Sequence, residues 1–370
     1  MSRFLAAVSL AGAATLAAAT LAACGGGGDD KGSGGGSGAG GSGASAAGKG
    51  EFDKVVLGSV SNMMHTAEYV AVEKGFYAEN GLDVKLKIFS SGSDLNKALA
   101  SGDIQFGTAS PTSVPASRAA GLKTRLVGPA MNDATTATYA DPLGIVGRKD
   151  KGIKPGDANS LKGKRVGVLT GSTTEEYLRL YLEKKGLKKG DVKVVNLEVP
   201  DHPVSLKQGD VDAVASWEPY VTQAVREQGG KAAIVSRGDP LLGYVIGVGA
   251  TDQTITKRRL LKKFVAAIAQ SDQYLRKNPE EGAKVAANFI KGLNVGDATE
   301  AMKNHLKFDP RISGCTADAF DEAAKGLVEA GEIKQAPPKE DQISSDIVVE
   351  VQKENPQWFS DLPPIPDECK

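Results

Sequence analysis

The chain has 370 residues, with 45 Lys+Arg against 45 Asp+Glu, so its formal charge is zero and no dense basic patch points to nucleic acid. Beyond residue 24 no apolar run is long enough to span a membrane; the longest, Leu241–Ala250, contains three glycines and reads as a strand. No G-x-S-x-G, H-E-x-x-H or spaced Cys/His set is present among only three histidines and three cysteines, so no cofactor or metal is expected.

The N-terminus carries one basic residue, Arg3, then an apolar run from Phe4 to Ala23, then Cys24. That is the layout of a secretory signal segment. Leu21-Ala22-Ala23-Cys24 resembles the lipobox of bacterial lipoproteins. The resemblance implies cleavage before Cys24, a signal peptide of residues 1–23, and lipid on the cysteine that anchors the chain outside a bacterial membrane. A retained signal anchor is the other reading, since about 20 apolar residues span a bilayer. Residues 25–50 are nearly all Gly, Ser and Ala, the composition of a flexible linker with an r.m.s. reach of roughly 28 Å. Within it, Gly43–Lys49 reads G-x-x-x-x-G-K, but Gly50 stands where a phosphate loop needs Ser or Thr.

From Lys54 the chain alternates strand and helix patterns. Lys54–Val60 reads as strand and Thr66–Lys74 as helix, with Gly75 placed to end it. Asp83–Phe89 is strand after the turn Asn80-Gly81, Ser93–Ala100 helix, and Ile104–Thr108 strand. Ser110–Ala120 reads as helix with Pro111 in its first turn, then Leu122–Ala130 as strand. A second unit repeats the plan: strand Arg165–Leu169, helix Thr173–Lys185, strand Val192–Val199, a short helix near Val204–Lys207, strand Val211–Ser216, helix Pro219–Glu227, strand Lys231–Ser236. The order implies an α/β fold of two similar lobes with parallel-rich sheets. Leu143–Gly147 and Tyr244–Ala250 flank the second unit and read as two hinge strands. Thr254–Lys277 places Leu260, Leu261, Phe264, Val265, Ile268 and Leu275 on one stripe, opening a helical C-terminal extension. The expected lobes are residues 51–145 plus 245–370, and 146–244.

Open parallel sheets bind ligands at the carboxyl ends of their strands. That rule selects Asn62-Met63-Met64-His65, Ser110-Pro111-Thr112, Gly171-Ser172-Thr173 and Trp217-Glu218. Gly171 permits close backbone approach, and Ser172-Thr173 opens a helix whose free N–H groups suit an anion. The same residues fit an ordinary capping box, Ser172-x-x-Glu175. Trp217 offers a flat face to a ligand or fills the core. Glu218 meets a positive or N–H-bearing group, or its own helix end. Met63, Met64 and His65 wall a pocket, or His65 is a cap. Cys315 and Cys369 form a disulfide or stay as separate thiols.

Several segments, in order, resemble one family. Tyr69-Val70-Ala71-Val72-Glu73-Lys74-Gly75-Phe76-Tyr77 with Asn80-Gly81-Leu82-Asp83-Val84, then Ala98–Gly107, Leu161–Val168, and Gly209-Asp210-Val211-Asp212-Ala213 leading to Trp217-Glu218-Pro219-Tyr220, are similar to solute-binding proteins of the nitrate/sulfonate/taurine and thiamine-pyrimidine-precursor group. The resemblance implies a type 2 periplasmic-binding-protein fold that closes on a small organic anion, sulfonate-like, pyrimidine-like or aromatic. It implies a monomer that meets an ABC permease and has no catalytic role. A pyrimidine-synthesising enzyme of the same fold group and a ligand sensor without a transporter are the alternatives. The loop Asn62–His65 departs from familiar members, where smaller or proline-containing sequence is common.

Overall fold

The computed structural model describes residues 52–89 and 92–370, the side chains of residues 92 and 93 excepted. The signal segment, Cys24 and the linker lie outside the described residues. Strand β1 (Asp53–Val60) leads to helix α1 (Thr66–Glu73) and the single turn α2 (Phe76–Glu79). Then come β2 (Leu82–Phe89), α3 (Gly92–Ser101), β3 (Phe106–Ala109), α4 (Ser113–Ala119) and β4 (Thr124–Met131). The second unit holds β5 (Leu143–Arg148), β6 (Arg165–Val168), α5 (Thr173–Lys184), β7 (Lys193–Asn196), α6 (His202–Gln208), β8 (Ala213–Trp217), α7 (Tyr220–Gln228) and β9 (Ala232–Arg237). The chain returns through β10 (Ile246–Thr251) to α8 (Asp252–Ile255), α9 (Arg258–Lys277), α10 (Pro279–Phe289), α11 (Val295–Asn304), α12 (Gly314–Glu329), α13 (Lys339–Gln342) and α14 (Asp346–Glu354).

The strands form two five-stranded sheets, ordered β2-β1-β3-β10-β4 and β7-β6-β8-β5-β9. β1 is parallel to β2 and β3, and β6 is parallel to β7 and β8. The two Gly-punctuated segments read as hinge strands each lie inside one sheet. β10 runs antiparallel between β3 and β4, and β5 antiparallel between β8 and β9. The chain itself passes between the lobes in residues 132–142 and 238–245. The glycines that suggested a hinge serve packing inside the sheets. A Cβ on Gly147 would lie 2.6 Å from Ile153, and one on Gly247 would lie 2.6 Å from the Gly128 carbonyl oxygen.

The apolar stripe of α9 covers the first sheet. Leu261, Phe264, Val265, Ile268 and Leu275 are buried, and Leu260 lies at the margin of the stripe. Phe264 stacks on Phe106 of β3 with ring centroids 4.0 Å apart and meets Tyr77 at 5.1 Å. Each such side chain contributes about 2–3 kcal/mol by leaving water. The C-terminal tail is held by a disulfide between Cys315 on α12 and Cys369. The 54-residue separation corresponds to about 4 kcal/mol of chain-entropy stabilisation.

Candidate functional site between the lobes

Topology sets which edges face each other. β4 leaves the first sheet at its carboxyl edge, and residues 132–142 deliver the chain to the amino end of β5. Because β5 is antiparallel to its neighbours, that end lies on the carboxyl edge of the second sheet. The return from β9 to β10 does the same in reverse. Both crossings therefore join carboxyl edge to carboxyl edge, and the loops after β1, β3, β6 and β8 all lie at the junction of the lobes.

In the first lobe, Ser61 is exposed and Asn62 half-buried, but Met63, Met64 and His65 have almost no surface. The Asn62 side chain accepts the Met64 N–H at 2.9 Å and starts a short helical turn. That turn drives both methionines into the core. His65 Nδ1 lies 2.8 Å from the Glu68 carboxylate, and both residues are buried. The Tyr69 hydroxyl donates to the Val60 carbonyl at 2.6 Å and fixes the loop from behind, its ring stacked on Phe289. Around β3, the expected helix at Ser110 begins three residues later, at Ser113. Ser110 and Ser113 cap each other, N–H to hydroxyl, at 3.0 and 2.9 Å. Pro111 is buried in the resulting turn, whereas Ser110 and Thr112 keep partial exposure.

In the second lobe, Gly171 has φ 74°, a conformation that favours glycine. Ser172 caps α5, its hydroxyl accepting from Thr174 N–H at 3.2 Å and donating to the Leu169 carbonyl at 2.7 Å. The helix end also holds its own anion. Glu175 accepts the Gly171 N–H at 2.7 Å and pairs with Lys189 at 2.7 Å. Burial alone would raise the Glu175 carboxyl, but these partners hold it below the usual range. The Thr170 N–H is likewise taken, by Asn196 at 2.9 Å. What this loop presents at the surface is mainly the Thr170 and Thr173 side chains.

Trp217 is half-buried, packed on the core at the end of β8 and paired in register with Leu143. Glu218 is fully buried; one oxygen accepts the Thr222 N–H at 3.1 Å and the other meets Arg237. Burial raises the Glu218 carboxyl even against the Arg237 charge. Glu218 thus serves its own helix and Arg237. The end of β9 supplies residues that sequence reading did not single out. Tyr177, Ser236 and Asp239 form a hydroxyl chain: Tyr177 to Ser236 at 2.7 Å, and Asp239 N–H to the Tyr177 hydroxyl at 3.1 Å. Arg237 bonds Thr222 at 2.9 Å while its Nε has no protein partner. Across from it, burial first and then the Arg237 charge pull His305 down to about 4. Ser236-Arg237-Gly238-Asp239 ends a strand, so the carboxyl-edge rule applied to a fifth loop would have found it.

Among the described residues no cluster of His, Cys, Asp or Glu is arranged to hold a metal ion. A cavity of about 410 Å³ exists elsewhere, under α9 and the C-terminal tail, lined by Leu275, Met302, Leu306 and Phe308 among others. None of the four loops contributes to it.

This architecture, two α/β lobes joined at their carboxyl edges, is the periplasmic-binding-protein fold. Residues 62–282 match the NMT1/THI5-like family model, and the chain belongs to that family. It is 27% identical over 284 residues to the taurine-binding periplasmic protein of Escherichia coli K12, covering 72% of this chain and 84% of that one. Its fold is similar to the periplasmic aliphatic sulphonate binding protein SsuA from Escherichia coli, with TM-score 0.65 and 19% identity over 79% of this chain and 92% of that chain. It is also similar to the periplasmic nitrate-binding protein NrtA from Synechocystis PCC 6803, with TM-score 0.69 and 15% identity over 85% and 92% of the two chains.

Proposed function

We propose that the protein is an extracytoplasmic solute-binding lipoprotein of an ABC importer that captures a small organic anion between its lobes. The observation that carries this reading is the edge-to-edge crossing, which sets four polar loops at one junction. The taurine-binding relative supports it. Ser61, Asn62, Ser110, Thr112, Thr170 and Thr173 supply polar groups with partial or full exposure, and Trp217 supplies a wall. Met63, Met64, His65 and Glu218 act behind the surface, fixing the backbone that the ligand meets. With Met63, Met64 and His65 turned into the core, the balance shifts from a heteroaromatic ligand toward a compact acid such as a sulfonate. The Glu175 carboxylate at the α5 end disfavours an anion seated directly on that helix terminus. We place the anion on the hydroxyls instead.

Cys24 and the linker complete the picture as a lipid anchor with roughly 28 Å of r.m.s. reach toward a permease. In this reading Cys24→Ala loses the lipid and leaves ligand affinity unchanged. A mass spectrum of the membrane-derived variant still carrying acyl groups would contradict it. A thermal-shift screen over taurine, alkanesulfonates, nitrate, pyrimidines and aromatic acids tests the ligand class, because a bound solute raises stability by mass action. A saturable rise is expected with an organic sulfonate or related small acid. A response to pyrimidines alone would move the chain toward the biosynthetic branch of the family.

A further inference from the structure

The C-terminal helices do more than extend the first lobe. α10 packs on α1 of the first lobe and carries α11 with it. α11 then reaches the second lobe and touches α7. Asp297, in the first turn of α11, is nearly buried, with 5% of its side chain exposed. Arg226, in the last turn of α7, clasps it with both ends of the guanidinium, Nε to Oδ1 at 2.8 Å and Nη2 to Oδ2 at 2.9 Å. Asn294 caps the helix and accepts the Asp297 N–H at 2.9 Å, so the carboxylate is held in place. Among the described residues no other ion pair or hydrogen bond joins residues 143–237 to residues 52–131 or 246–370.

The other end of α11 is fixed at the crossing. The Tyr139 hydroxyl donates to the His305 carbonyl at 2.7 Å and accepts the Lys307 N–H at 2.9 Å. α11 is therefore a lever, pinned near the pivot at its C-terminus and ion-paired to the opposite lobe at its N-terminus. Its ten residues span about 15 Å, so a lobe rotation of about 20° moves the far end by about 5 Å. That displacement breaks a bidentate, charge-assisted pair.

We propose that α11 is a clasp between the lobes and that the Arg226–Asp297 pair sets how far the ligand-free lobes stay together. The role of closure in solute capture rests on the binding function proposed above, but the clasp itself is testable without any ligand. Spin labels at Val204→Cys on α6 and Val349→Cys on α14 report the separation of the lobes, since both sites are exposed. The full chain is used with Cys24→Ser, the other two cysteines being bridged. Pulsed dipolar spectroscopy without ligand is expected to give longer distances for Arg226→Gln than for the parent, with Arg226→Lys between them. The shift corresponds to a roughly three- to tenfold loss of the closed population, as suits a pair whose arginine is half exposed. Asp297→Asn is expected to act in the same direction. Arg226→Gln sits on an exposed position and keeps the test interpretable if Asp297→Asn folds poorly. Distances for Arg226→Gln that coincide with the parent would overturn the clasp, whatever the ligand screen finds.

Discussion

Trp217 and His202 contrast a residue proposed to face the ligand with one that serves the framework. Trp217 is half-buried and ends β8. Trp217→Ala is expected to raise the ligand dissociation constant by about 5- to 150-fold, the equivalent of ~1–3 kcal/mol of aromatic contact. Calorimetric titration checks it; unchanged affinity would return Trp217 to the core. His202 serves structure. Its Nδ1 lies 3.1 Å from the Ser216 hydroxyl and its Nε2 3.3 Å from the Leu197 carbonyl. Burial drives its ionisation down to about 4, from 6.5 in a free imidazole. The unfolded chain thus binds a proton between those values that the folded chain refuses. Stability is fully present above about pH 6.5 and falls toward pH 4, by up to about 3 kcal/mol. Thermal melts should show His202→Gln losing less stability than the parent between pH 7 and pH 4.5. Parallel losses would show that another group controls the acid limb. Burial of this kind is what sequence hides: Met63 and Met64 read as pocket wall, and His65 as wall, cap or partly buried residue, because a local Asn cap that turns all three inward leaves no periodic signal.

The elements themselves were largely legible. Alternating strand and helix signals located both sheets, and the stripe on α9 appeared with its buried face correctly chosen. Pairing direction was not legible. β5 and β10 have the Gly and β-branched content of a bridge, and only their neighbours reveal that they are inserted antiparallel. α4 began later than expected because the Ser110–Ser113 cap uses the residues around Pro111 as a turn. The glycines of β10 give the test at this scale. A Cβ on Gly247 would lie 2.6 Å from both the Gly128 carbonyl oxygen and Leu126 Cδ1, and 2.8 Å from Pro129 Cα. Backbone cannot yield as a side-chain tip does, so Gly247→Ala should destabilise by about 2 kcal/mol or more through overpacking. Chemical denaturation measures this, and a neutral result would mean that β10 sits further from β4 than described.

At the scale of the molecule, the described residues all belong to one unit. Two crossings, one disulfide and the α11 clasp tie its parts together. In the proposed binding role, the crossings set where a ligand meets the protein, the loops set its chemistry, and the clasp sets how readily the lobes part. Each depends on the lobes acting as jaws that hold a solute and release it unchanged. The direct test titrates the full chain calorimetrically with the sulfonate or related acid that the thermal screen selects, then assays the recovered solute. The proposed binding role predicts one-to-one saturable binding, weakened by Trp217→Ala, with all of the solute returned chemically intact. Consumption of the solute, or binding that survives Trp217→Ala at full strength, would contradict it.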